Sequence, residues 1–273
     1  MGCRGLGVDG PDRRTIELLN EDLFGEHDAI VYYLTHAWTV ARRYGRDILD
    51  IAYDEMRHFK WLAHAIAQMG GVPDLKTPSV APVTTLQAAL QKDVDAEIHA
   101  IDQYRDHMEV ISRAPLRGLL ERIVVDEQAH LRHFQELLDS THGEPDEVDR
   151  PAAEVGGVAA HLQNSVGQEY QQMMAYLMKS FVEDHGRRMG LDMEERSIDE
   201  MRHMGWIAKQ MGVMGLQPQF PPVDAEAAIA PGEQREQALY QDVRAWAVDA
   251  LPTLVPTIDR ILAQEQYHAT LQP

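Results

Sequence analysis

The chain repeats itself, and the repeat is carried by acidic residues and histidines. Leu19 to Leu34 aligns with Leu162 to Leu177 at a shift of 143 (162 − 19), which places Glu26 on Glu169 and Tyr33 on Tyr176. Asp54-Glu55-Met56-Arg57-His58 aligns with Asp199-Glu200-Met201-Arg202-His203 at a shift of 145 (199 − 54), and Pro73 falls on Pro218 at that same shift. Glu127-Gln128-Ala129-His130 aligns with Glu265-Gln266-Tyr267-His268 at a shift of 138 (265 − 127), so the last helical hairpin of the second copy is read as seven residues shorter, about two turns. A duplicated chain of 273 residues with 44% hydrophobic content divides into two domains of ordinary size, each able to bury its own core.

Within each copy the hydrophobic period is helical. From Thr15 to Met69 it predicts two long helices interrupted near Tyr44-Gly45-Arg46, and Gly70-Gly71-Val72-Pro73 is a stop signal. A crossover from Lys76 to Val83 leads to a third helix of about Leu86 to Ser112, and Ala114-Pro115 turns the chain into a fourth that ends near Ser140. The expectation is an all-α protein of two tandem four-helix bundles related by a pseudo-two-fold axis. Residues 1–14 read as a flexible leader, 15–141 as the first bundle, 142–157 as a linker and 158–273 as the second bundle.

Charge narrows the partners. Lys plus Arg is 25 against Asp plus Glu at 44, a formal charge of 25 − 44 = −19, which repels phosphate backbones and anionic lipid heads. Nucleic acid and membrane surfaces are therefore excluded as partners; the excess serves either cation binding or a solubilising surface. Cys3 is the only cysteine, so no disulfide frame exists. Met1-Gly2-Cys3 opens like a myristoylation signal but has Leu6 where the motif wants Ser or Thr. No apolar run approaches the ~18 residues of a membrane span, and a cytoplasmic location is expected.

The chemistry lies in four Glu-x-x-His pairs: Glu55/His58, Glu127/His130, Glu200/His203 and Glu265/His268. At ~100° per residue, groups three apart on a helix point within roughly 60° of each other, so each pair presents both side chains to one face. A di-iron carboxylate site in a four-helix bundle takes a lone Glu from each of two helices and a Glu-x-x-His from each of the other two. Glu26 and Glu97 supply the lone carboxylates of the first copy, and Glu169 supplies one in the second. Extending the shift of 145 puts Asp242 on Glu97, and reflecting Glu265 through the Leu251 to Pro256 turn returns the same residue; a shift of 149 would place Trp246 there instead. Asp242 is thus the expected fourth carboxylate of the second site. Carboxylates with two imidazoles suit Fe or Mn and leave coordination positions open to dioxygen or peroxide. Burying four carboxylates without a cation would be very costly, which is the physical reason to expect the metal.

Several neighbours allow two readings each. Asp54, Asp126 and Asp199 precede metal-site glutamates, and either orient a ligating imidazole through its second nitrogen or are surface acids; Gln264 breaks their series. Tyr33 and Tyr176 lie seven residues past Glu26 and Glu169, about 20° off the same inward line. They are either core tyrosines or catalytic groups that hydrogen-bond a ligand or give up an electron. Met56 and Met201 point about 100° from the glutamates beside them; they either fill the seam between the bundles or ligate one haem iron from both sides.

Together these residues resemble bacterioferritin, within the ferritin-like superfamily. Leu19-Asn20 followed by Glu26 and Tyr33, the run Asp54 to His58, Glu97, and Asp126-Glu127-x-x-His130 match that family's pattern in order and spacing, and Ser197 to His203 matches its second-helix signature. The resemblance covers nearly the whole chain, once per half. It implies that Glu26, Glu55, His58, Glu97, Glu127 and His130 are di-iron ligands, and that Met56 and Met201 correspond to a methionine that binds haem across a subunit dimer. The chain would then be that dimer made covalent. Bacterioferritins also carry a short fifth helix and assemble into hollow shells, whereas here Ser140 is followed by a linker and Pro273 lies five residues past His268. Three functions follow as alternatives: a di-iron oxidoreductase using O2 or H2O2 with Fe(II) or a small molecule as reductant, an iron-storage cage formed as a homo-oligomer, or a haem-binding module with vestigial metal sites. The asymmetry between the halves favours the first.

Overall fold

A computed structural model describes residues 11–40, 42–79, 81, 83, 85–142, 157–182, 187–223 and 232–270. Over these residues the chain forms helices and no β-strand. In the first bundle α1 (Pro11–Trp38) pairs with α2 (Gly45–Gln68), and α3 (Leu86–Val110) pairs with α4 (Ala114–Ser140). In the second, α5 (Gly157–Val182) pairs with α6 (Arg187–Val213), and α7 (Gly232–Ala250) pairs with α8 (Val255–Thr270). None of these helices is long and apolar enough to cross a membrane.

Local chemistry sets the helix ends. Gly70 (φ 78°) and Gly215 (φ 71°) occupy the same place in the repeat (70 + 145 = 215) and turn the chain out of α2 and α6 through the left-handed region, which glycine adopts without strain. Gly45 starts α2 against α1, where a Cβ would come within 2.7 Å of the Ala37 carbonyl oxygen. Thr85 caps α3 by accepting from the Ala88 amide (3.2 Å). The expected leader is shorter than residues 1–14, because α1 begins at Pro11. A proline costs nothing in the first turn of a helix, and Arg113 donates to both oxygens of Asp12 (2.7 Å each), fastening that turn to the α3–α4 corner. The start of the leader, with Cys3, and residues 143–156 of the linker lie outside the described residues.

The two bundles meet through α1 and α2 on one side and α5 and α6 on the other. His27 and Tyr170 occupy equivalent positions (27 + 143 = 170) and touch each other, with rings stacked at 5.9 Å and imidazole Nε2 2.5 Å from the phenol oxygen. Equivalent residues meet only on a symmetry axis, so this contact marks the pseudo-two-fold. Around it Trp38 fills the hollow left by Gly205, whose Cβ would lie 3.0 Å from the indole. Lys60 pairs with Glu194 across the same seam.

Candidate metal centre

Each bundle brings its two hairpins together so that Glu-x-x-His faces Glu-x-x-His. In the first, Glu26 (α1), Glu55 and His58 (α2), Glu97 (α3), and Glu127 and His130 (α4) are all buried and converge. His58 Nδ1 lies 2.8 Å from Glu127, 3.1 Å from Glu55 and 3.5 Å from Glu26. His130 Nδ1 lies 3.0 Å from Glu55, 3.5 Å from Glu127 and 3.9 Å from Glu97. The donors form two overlapping sets, Glu26/Glu55/His58/Glu127 and Glu55/Glu97/Glu127/His130, each with its ligand atoms within 4.8 Å of one another.

The outer nitrogens are held crosswise. His58 Nε2 meets Asp126 (3.2 Å), and His130 Nε2 meets Asp54 (3.4 Å). Each aspartate therefore orients the histidine of the opposite motif, leaving Nδ1 to face inward. The lone glutamates are held crosswise too: Tyr33 on α1 donates to Glu97 on α3 (2.6 Å), and Tyr104 on α3 donates to Glu26 on α1.

Crowding four carboxylates around two imidazoles distorts the acid–base chemistry. Burial, added to by the charges of Glu127 and Glu55, pushes the Glu26 carboxyl well above its usual range, and burial with Glu55 and Glu127 does the same to Glu97. Burial also works against Glu55, but hydrogen bonds and charge from His130 and His58 outweigh it and leave that carboxyl below the usual range. Burial would lower His130, yet Glu127 and Glu55 raise it to about 10. Even so Glu26 Oε2 and Glu97 Oε2 are buried with no hydrogen-bond partner among the described residues, and Glu55 Oε1 and Glu127 Oε1 have the imidazole nitrogens of His130 (3.0 Å) and His58 (2.8 Å) beside them. Orphaned buried oxygens cost ~1–3 kcal/mol each or more, and two divalent cations would satisfy them together.

The second cluster corrects one expectation. Asp242 is exposed, on the solvent side of α7. The buried carboxylate of that helix is Glu236, grouped electrostatically with Glu200, Glu169 and Glu265. The register was misjudged for two reasons. Pro252–Leu254 is a 3-10 turn that leads directly into α8, so the corner between α7 and α8 lies nearer Ala250 than the midpoint of 251–256. The shift from Glu97 to Glu236 is 139, so six of the missing residues (145 − 139) precede the lone glutamate and only one (139 − 138) falls within the hairpin. The Glu97 to Glu127 spacing of 30 has its counterpart in a Glu236 to Glu265 spacing of 29, the signal that would have found it.

Around this second centre His203 Nδ1 lies 2.9 Å from Glu265, 3.3 Å from Glu200 and 3.4 Å from Glu169. His268 Nε2 meets Asp199 (3.2 Å), but His203 Nε2 meets the neutral Gln264 (3.1 Å) where the first half has an aspartate. Tyr240 donates to Glu169 as Tyr104 does to Glu26. These two tyrosines were not anticipated, and their spacing from the lone glutamates, i+7 and i+4 on one helix face, was their only sequence signal. Tyr176 does not repeat the role of Tyr33: its ring lies under the Arg196 guanidinium (5.6 Å), and neither oxygen of Glu236 accepts a hydrogen bond among the described residues.

Met56 and Met201 are 5% and 2% exposed in the joint core. Surfaces so completely covered leave no haem-sized space against either sulfur, and the packing of this seam does not fit the group. By contrast, a cavity of about 400 Å³ opens between α1 and α3 and reaches Glu26, Glu55, Glu97 and Glu127. Phe24, Asp28, Lys92 and His99 are among its outer residues, and burial raises Asp28 to about 6.

The description "Ferritin-like domain" belongs to the family model that matches residues 16–143. The bacterioferritin of Streptomyces coelicolor is 31% identical over 139 residues, 47% of this chain and 81% of that protein. The bacterioferritin of Desulfovibrio desulfuricans is 31% identical over 134 residues, 45% of this chain and 74% of that protein. Among solved structures, the D. desulfuricans bacterioferritin, described with its diiron site in different catalytic states, is 25% identical with a TM-score of 0.47 over 49% of this chain and 83% of its own. A ferritin-like diiron-carboxylate protein from Bacillus anthracis is 28% identical with a TM-score of 0.45 over 48% of this chain and 99% of its own.

Proposed function

We propose a function from a single premise: the chain belongs to the ferritin-like family, with bacterioferritins as relatives. The first cluster is then a di-iron site, with Glu26, Glu55, His58, Glu97, Glu127 and His130 as ligands, that uses O2 or peroxide to oxidise Fe(II) or a small organic reductant. The observation that carries this reading is the buried set of four carboxylates and two imidazoles whose unpartnered oxygens face one another beside an open cavity. The donor set accepts manganese as well. Bound metal supplies redox equivalents and open coordination positions for the oxidant.

The chain's own residues supply the rest. Asp126 and Asp54 fix the tautomers of His58 and His130 so that Nδ1 carries the lone pair directed inward. Tyr104 and Tyr33 hold the carboxylates of Glu26 and Glu97 by hydrogen bonds, and Tyr33 would be the residue to give up an electron, through Glu97. The cavity admits the small reactants, while the apolar shell of Ile30, Leu62, Ile101 and Phe134 keeps bulk water out. In the second cluster Glu169, Glu200, His203 and Glu265 bind iron with the same donor types; Asp242 has no part in it.

Oxygen uptake by the Fe(II)-loaded chain tests the reading. Glu55→Ala with Glu127→Ala is expected to reduce it to the rate of free Fe(II), and uptake that persists unchanged sinks the proposal. The name of the relatives favours a second reading, iron storage in an assembled shell; light scattering that shows only monomers or dimers without a mineral core removes it.

A further inference from the structure

The two clusters are not the same size. We infer that the second is a mononuclear metal site: Glu169, Glu200, His203 and Glu265 hold one divalent transition-metal ion, while the position between Glu236 and His268 holds none, so the chain binds three ions rather than four. This rests on the reading of the first cluster as a two-metal site.

Donor spacing is the first ground. The first cluster offers two four-donor sets that share Glu55 and Glu127, and among the described residues the second offers one, Glu169/Glu200/His203/Glu265. That set is the counterpart of Glu26/Glu55/His58/Glu127; the counterpart of Glu55/Glu97/Glu127/His130 has come apart. His130 Nδ1 has carboxylates of three residues within 4.0 Å, whereas among the described residues His268 Nδ1 has one, Glu265 at 4.0 Å. The histidine rings have also drawn apart, from 5.9 Å in the first cluster to 6.4 Å in the second.

The second ground is a fixed positive charge. Arg196 is buried one turn before Glu200, on the same face of α6, where the first half has the aliphatic Ile51 (51 + 145 = 196). It donates to the His268 carbonyl oxygen (3.3 Å) and lies over Tyr176. The guanidinium sets a fixed positive charge one turn from Glu200, where the first half has an uncharged side chain. It also ties down the backbone of the histidine that the missing ion would need, and occupies the tyrosine whose counterpart positions Glu97.

Anaerobic Fe(II) titration of the metal-free chain, followed by oxidation and electron paramagnetic resonance, tests this. Three ions per chain are expected, and the oxidised protein should show about one isolated high-spin Fe(III) per chain, because a coupled diferric pair is silent. Four ions with no isolated ferric signal overturn the inference in the wild-type protein, whatever the variants do. Glu55→Ala with Glu127→Ala should leave one ion, and Glu200→Ala with Glu265→Ala should leave two. If the first pair of substitutions removes no iron, the two-metal reading of the first cluster has failed instead. In the Glu55→Ala/Glu127→Ala background, Arg196→Ile should raise the count from one to two; a count that stays at one overturns the role given to the arginine.

Discussion

The two halves place the same six donor positions on the same helices and yet build different sites. In the first, each histidine has an aspartate behind it and each lone glutamate has a tyrosine holding it. In the second, one aspartate has become Gln264, Tyr176 has turned to Arg196, and Glu236 is left without a hydroxyl donor. The ligand types survive where the supporting shell does not. Two copies carried in one chain can diverge separately, whereas a homodimer must carry every substitution twice. The axis shows the same freedom: His27 faces Tyr170, a donor and acceptor combination that two identical subunits cannot place opposite one another.

The largest expected effect tests how far both clusters depend on cations. In the metal-free protein Glu26, Glu97, Glu200 and Glu236 have carboxyls raised by burial, and His58, His130 and His203 are raised by the surrounding carboxylates despite burial. A group whose folded pKa is raised contributes stability that is complete below its unfolded value and lost as pH rises through the folded one. For His130 that window runs from 6.5 to about 10, and the raised glutamates lose theirs from 4.5 upward. Glu55, held low, is already constant above 4.5 and does not offset them. The chelated protein should therefore melt lower at pH 9 than at pH 6, by roughly 5–10 °C if the sum reaches a few kcal/mol. Saturating metal should flatten the slope, because it holds the ligands deprotonated at both pH values. Melting curves with and without chelator check this, and a metal-free Tm that rises with pH breaks the account.

How much of this was legible beforehand follows from the kind of signal each residue gives. The all-α fold and the pairing of Glu55/His58 with Glu127/His130 were readable because both depend on helical periodicity and a repeat, which sequence displays directly. Glu236 was not, because its register depends on where the crossover lost residues and on Pro252 continuing into a helix rather than closing a loop. Tyr104 and Tyr240 were missed because a helix face does not reveal which neighbouring helix it meets. The seam around Met56 and Met201 is a matter of volume. Whether two methionines enclose a cofactor or fill a core is decided by how tightly the two bundles close, and no residue pattern encodes that.

Next in size is the substitution behind the histidines. Asp126→Asn and Gln264→Asp exchange the groups that meet His58 and His203. Loss of such an outer partner typically costs ~10–100-fold in metal affinity. Asp126→Asn should weaken the first cluster by about that factor, while Gln264→Asp should tighten the second, with competition against a coloured chelator as the measurement. Equal affinities in all three proteins would show that the aspartate and glutamine do not distinguish the halves.

The smallest effect probes a corner where the halves still agree. Tyr104 donates to Glu26, and Tyr240 donates to Glu169, each fully buried against a lone glutamate. Tyr104→Phe and Tyr240→Phe remove one hydrogen bond apiece, so each should cost about 1 kcal/mol of stability in the metal-free protein. Tyr33→Phe removes the bond to Glu97, which has no counterpart at Glu236, and should cost a similar amount. Denaturant midpoints measure all three. Matching losses for Tyr104→Phe and Tyr240→Phe would leave the Glu26 and Glu169 corners outside the divergence. A loss in Tyr104→Phe with none in Tyr240→Phe would extend it to the Glu169 corner, and the one four-donor set of the second cluster would lose a support that its counterpart keeps.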